Sequence, residues 1–175
     1  MDDYLQWSTV EAMSRKAETL RCYKDYESWL DMQHKARIKW FQSDRGGEFL
    51  SHEFDMHLKA RGTIRSLTVH DMPKENGVSE HLNCTLLKHA RAMLLAAGLP
   101  KFLWFEAIWH ATWLNNCTST CALNRKTLFE MQYKEKPNLE NLLEWGTQVF
   151  VLREGRRKLD EKADEGRWVG YSPDS

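Results

Sequence analysis

The stretch Ile38-Lys39-Trp40-Phe41-Gln42-Ser43-Asp44-Arg45-Gly46-Gly47-Glu48-Phe49, with its continuation Pro73-Lys74-Glu75-Asn76-Gly77-Val78-Ser79-Glu80, decides how this chain folds. Ile38 to Gln42 is a short apolar, β-leaning run, and Ser43-Asp44 with the pair Gly46-Gly47 ends it in a turn. Glu80 stands just inside an amphipathic helical pattern, and 35 residues separate it from Asp44. A carboxylate at a strand end and another on a helix form the kind of pair that holds a divalent cation through hard oxygen ligands.

Outward from that stretch the pattern alternates. Ser51 is placed to cap a helix over 52–61, with Phe54 and Leu58 on one face and Gly62 as its stop. Thr63 to Thr68 is again β-leaning. Upstream, residues 4–13 partly alternate and predict a strand, and 15–34 predict a helix with Leu20, Tyr23, Tyr26 or Trp29, and Leu30 at three- and four-residue steps. Strand, helix, strand, helix, strand predicts an α/β layered fold. After a loop over 69–75, Asn76 is expected to cap a long helix with the stripe Val78, Leu82, Leu86, Ala90, Met93 and Ala97, ended by Gly98. Glu80 lies off that stripe, on the side of Cys84, Leu87 and Arg91. Pro100 opens a further helix with Leu103, Ala107, Ala111 and Leu114, and 127–133 predict another short helix. Gln148 to Leu152 and Trp168 to Tyr171 predict two short strands around the basic turn Gly155-Arg156-Arg157-Lys158.

The 175 residues suffice for one domain, or one with a fragment of a second, and 42% hydrophobic content supports a packed core. Lys+Arg and Asp+Glu both total 25, so any nucleic-acid binding must come from a local patch rather than from net charge. The spacing of Cys22, Cys84, Cys117 and Cys121 suggests no disulfide framework, and Met1-Asp2-Asp3-Tyr4 is not a signal peptide. No run approaches the length that crosses a membrane. The expectation is an intracellular chain with reduced thiols.

Ser43-Asp44-Arg45-Gly46-Gly47-Glu48-Phe49 resembles the Ser-Asp-Asn-Gly-Gly-Glu-Phe motif of copia-type retrotransposon integrases. Pro73 to Asn83 resembles their Pro-Gln-Gln-Asn-Gly-Val-Ala-Glu-Arg-Met-Asn, and the 35-residue gap is the superfamily's spacing between its second and third carboxylates. The similarity continues through Arg91 to Pro100, Phe102-Leu103-Trp104, Val149 to Leu152, Lys158-Leu159-Asp160 and Gly166 to Ser172.

That resemblance implies a ribonuclease H-like integrase core lacking its first strand or strands, followed by a partial SH3-like β module. The implied domains are a core over 1–136, a linker over 137–145 and the β module over 146–175. It implies two-metal phosphodiester cleavage and strand transfer with Mg²⁺ or Mn²⁺, with Asp44 and Glu80 as catalytic and metal-binding residues. It offers Arg45, Lys74, Asn76, Asn83 and Arg91 as nucleic-acid contacts, DNA or RNA as partner, a homo-oligomer, no membrane, and nuclear location by analogy.

The pattern is also incomplete. The family's first carboxylate has no counterpart upstream of Asp2-Asp3-Tyr4, so the chain is expected to be truncated at both ends and inactive alone. Arg45 replaces an Asn, Glu75 a Gln, and His81 and Cys84 each an Arg, changes that mostly weaken phosphate attraction. The rival expectations are a non-catalytic nucleic-acid-binding module and a polyprotein relic without a separate role. Other features have plainer explanations. Asp44 and Glu80 taken singly read as a turn carboxylate and a solvated helix-start Glu. Cys117-x-x-x-Cys121 with His110 lacks a fourth zinc ligand at sensible spacing, which favours small buried or half-buried thiols. His52 and His57 are expected at the surface, and the tryptophans in a core or packing surface.

Overall fold

The computed structural model describes residues 7–67, 73–155, 157 and 162–171, and the side chains of 73–76, Val78 and Ala122 are not described. The chain divides into two compact units. One is Glu11–His81, and the other joins Met1–Val10 to Leu82–Ser175.

In the Glu11–His81 unit, a 3-10 turn, Lys16–Glu18, leads into α1, Thr19–His34. There follow β1 (Trp40–Ser43), α2 (His52–Arg61) and β2 (Ile64–Leu67). The strands are parallel, with Trp40 opposite Ile64 and Ser43 opposite Leu67. Parallel neighbours need a crossover, and α2 supplies it. Its ends follow from local chemistry. The Ser51 hydroxyl accepts from the Phe54 N–H at 3.3 Å, and Gly62 closes the helix at φ 72°. The strand period then sorts the side chains. Phe41 meets Tyr23 at 5.0 Å and Phe54 at 5.1 Å between ring centroids, and Phe54 itself is 0% exposed. Trp40, on the other face, is 68% exposed.

The second unit takes the end of α3 (Pro73–Ala97), with α4 (Trp104–Cys117), α5 (Leu128–Tyr133), β3 (Gln148–Leu152) and β4 (Ala163–Arg167). Its core is built on Ala90, Ala107 and Trp145. Ala90 of α3 and Ala107 of α4 share this cluster with Trp145, whose indole N–H donates to the Val169 carbonyl at 3.1 Å. β3 and β4 pair antiparallel, with Gln148 opposite Arg167 and Leu152 opposite Ala163. Thr127 and Glu130 form a reciprocal capping box at the start of α5.

Several expectations change. Residues 4–6 lie outside the described set, and 7–13 are not strand. The backbone at Ser8 is held by a side chain instead of a ladder. Its N–H donates to Asn116 Oδ1 at 3.3 Å, and the Asn116 amide donates to the Ser8 carbonyl at 2.8 Å. The long helix starts at Pro73, so Asn76 lies inside it and does not cap it. Proline is well suited to a first helical turn, where its missing N–H costs nothing. The last strand is Ala163–Arg167, not Trp168–Tyr171. Past Arg167, Trp168 keeps backbone pairing, accepting from the Gly146 N–H at 2.7 Å and donating to the Thr147 carbonyl at 2.9 Å, while its ring stands edge-on to His110 at 5.0 Å and Val169 joins the Trp145 cluster. Cys117 is buried, as expected, but Cys121 is exposed. No described helix is long and apolar enough to cross a membrane.

Candidate metal centre

Asp44 follows directly on β1, at the C-terminal end of the parallel pair, and its side chain is exposed. Its Oδ1 accepts from the Gly46 N–H at 3.0 Å, an Asx turn that fixes the carboxylate over the glycine pair. Glu48 returns across the same turn and pairs with Lys16 at 3.4 Å. Its own backbone N–H, and after it Lys16, holds the Glu48 carboxyl below its usual range. Arg45 is exposed between them.

Glu80 is seven residues into α3, roughly 10 Å along the helix axis from Pro73, and exposed. It belongs to the same unit as Asp44, whereas Asn83 and Arg91, also exposed on α3, belong to the other. Lys74 and Asn76 fall in the first turn of α3. Among the described residues no ion pair involves Asp44 or Glu80, and no three His, Cys, Asp or Glu side chains gather as a metal site. Both carboxylates are hard oxygen donors accessible to solvent, which suits Mg²⁺ or Mn²⁺. A third protein ligand is not assembled with them among the described residues.

The best-formed charged cluster lies elsewhere in this unit. Glu27, only 5% exposed, takes His57 Nε2 at 2.9 Å on one carboxylate oxygen and Arg61 Nε at 3.1 Å on the other. His57 is therefore not the free surface residue expected from the sequence; α2 turns it onto α1. Burial first, then the Glu27 charge, pushes the neighbouring Tyr23 hydroxyl up to about 12. The sequence did carry a signal, because Glu27 shares a helical face with Tyr23 and Leu30, a charge on an apolar stripe.

A ribonuclease H-like α/β fold of the integrase-core class accounts for this arrangement. The chain aligns over 69% of its length with the catalytic core of HTLV-2 integrase, solved with magnesium in a trimeric form, at TM-score 0.51 and 21% identity. It aligns over 91% with a chain of the simian T-cell lymphotropic virus intasome, solved with a PP2A regulatory subunit, at TM-score 0.56 and 15% identity. No protein-family model matches the sequence.

In sequence, its homologues are retrovirus-related Pol polyproteins of plant transposons. It is 28% identical over 173 residues to that of transposon TNT 1-94 of Nicotiana tabacum, and 26% identical over 176 residues to that of transposon RE1 of Arabidopsis thaliana. These matches take in 98% of this chain but only 13% and 12% of the relatives. The resemblance to copia-type integrases drawn from the two motifs therefore stands: over 98% of its length the chain is similar to a segment of such polyproteins, and it shares the integrase-core fold.

Proposed function

We propose that Asp44 and Glu80 are two carboxylates of a Mg²⁺- or Mn²⁺-dependent site for DNA phosphodiester cleavage and strand transfer, in a polynucleotidyl transferase of retrotransposon origin. The observation that carries this is their setting. One follows a parallel strand and the other is borne on the long helix of an integrase-like fold, at the motif spacing the resemblance implies. Divalent metal bound between them would activate the attacking hydroxyl and stabilise the leaving oxygen. The chain's own part is to hold the ligands. Gly46 N–H orients Asp44, α3 presents Glu80, and Arg45, Lys74, Asn76, Asn83 and Arg91 are offered to the DNA backbone.

Among the described residues two carboxylates match the motifs, and two bind a cation less firmly than three, so weak metal binding without turnover is the behaviour proposed for the chain alone. A homo-oligomer on DNA, in the nucleus, is the corresponding cellular setting. The test measures Mn²⁺ binding by electron paramagnetic resonance and nicking of a DNA duplex, for the wild type, Asp44→Asn and Glu80→Gln. Mn²⁺ binding lost in both variants supports the proposal. Binding that neither substitution changes would sink it, and Asp44-dependent nicking by the wild type would overturn its inactivity.

A further inference from the structure

We propose that Gly46 is a positioning residue for Asp44, acting through its backbone N–H and through the side chain it lacks; this rests on the metal role of Asp44 given above. The turn contains two adjacent glycines, and neither has a positive φ. Conformational freedom therefore does not explain them, and the space around each becomes decisive.

The two differ sharply in that respect. A Cβ on Gly46 would stand 3.0 Å from Asp44 Oδ1, 3.0 Å from Glu48 Cδ and 3.1 Å from Glu48 Oε1. A Cβ on Gly47 would meet nothing within 4 Å. Carbon atoms in easy contact sit at about 3.5–4.0 Å, so a methyl group at Gly46 must move one carboxylate or both.

Both carboxylates are already engaged. Asp44 Oδ1 is tied to the Gly46 N–H itself, and turning the Asp44 side chain away breaks that bond. Glu48 is paired with Lys16 at 3.4 Å. The absent side chain thus leaves room for a fixed Asp44. The hydrogen bond engages Oδ1 and leaves Oδ2 for a cation. Hydrogen-bond donors that orient a metal ligand in this way commonly govern affinity by about 10–100-fold.

The experiment uses the full chain and compares Gly46→Ala, Gly47→Ala, Gly46→Ala combined with Glu48→Ala, and Asp44→Ala. Mn²⁺ affinity is read by electron paramagnetic resonance. The temperature coefficient of the residue-46 amide shift is read by nuclear magnetic resonance without metal. Gly46→Ala is expected to weaken Mn²⁺ binding about 10-fold, with Gly47→Ala unchanged and part of the loss recovered when Glu48 is also shortened. The residue-46 amide should lose its hydrogen-bonded signature in Gly46→Ala and Asp44→Ala, and keep it in Gly47→Ala.

Equal effects of the two single alanines would overturn the proposal, as would a Gly46 amide untouched by Asp44→Ala, a variant that leaves both glycines in place. A wild type that binds no Mn²⁺ removes the metal role of Asp44. The amide comparison then decides the positioning role by itself.

Discussion

Glu27→Ala should be the most damaging polar substitution in the Glu11–His81 unit. The carboxylate is 5% exposed and joins α1 to α2 through His57 at 2.9 Å and Arg61 at 3.1 Å. Removing one partner of a buried pair costs about 3–5 kcal/mol when the surviving charge has no escape. Here both survivors have one. The Arg61 side chain is 37% exposed and can rehydrate, and the His57 side chain, 18% exposed, also reaches solvent. Those escapes, with the recovered desolvation of Glu27 itself, bring the expected loss to about 2–3 kcal/mol. Glu27→Gln keeps the shape and an acceptor for Arg61 but loses the charge, for about 1–2 kcal/mol. Urea unfolding at neutral pH, followed through Trp29 and Trp40 fluorescence, measures both. A double-mutant cycle with His57→Ala should return a coupling of at least about 0.5 kcal/mol. A loss below about 0.5 kcal/mol for Glu27→Ala, or a cycle with no coupling, would refute the claim that this pair braces the two helices.

Phe54→Ala empties a fully enclosed site between Tyr23, Phe41 and Phe49, and a loss of about 3–5 kcal/mol is expected in the same urea assay. Gly146→Ala meets two obstacles, a φ of 88° and a direct clash with the Ala97 Cβ, so a large drop in melting temperature should follow, whereas Gly47→Ala should leave it unchanged. His110 has its pKa lowered by burial. A folded pKa below the unfolded one means that the unfolded chain binds the extra proton, so stability is full above 6.5 and falls as pH drops from there toward the depressed value. His110→Phe should remove that part of the pH dependence. A thiol reagent should modify Cys84 and Cys121 quickly, while Cys117, buried and pushed up to about 11, reacts only on unfolding.

Local signals gave the helices with good fidelity. Ser51 and Gly62 bound α2, Gly98 closes α3, and the Leu86–Ala90 stripe is buried, because caps and period depend on residues a few positions apart. The strand expectations fared less well at both ends of the chain. Strand formation needs a partner that only the fold supplies, and Ser8 finds Asn116, 108 residues away, instead of a ladder. Trp168 keeps two backbone bonds, to Gly146 and Thr147, just past the end of β4, and both Trp168 and Val169 pack on the Trp145 cluster. The motifs single out Asp44 and Glu80 as candidates, because a motif is written in residue identity and spacing.

The sequence by itself thus determined the α/β class, the crossover β1-α2-β2, and the family likeness carried by Asp44-x-Gly-Gly and Asn76-Gly-Val-x-Glu80. Only the tertiary structure decided what surrounds those residues. A Cβ would crowd the Asp44 and Glu48 carboxylates at Gly46, at 3.0–3.1 Å, and meet nothing within 4 Å at Gly47. His57 becomes a partner of Glu27 because α1 and α2 bring residues thirty positions apart to 2.9 Å. Spacing along the chain fixes which chemistry is offered, and close packing fixes which groups are held still enough to use it.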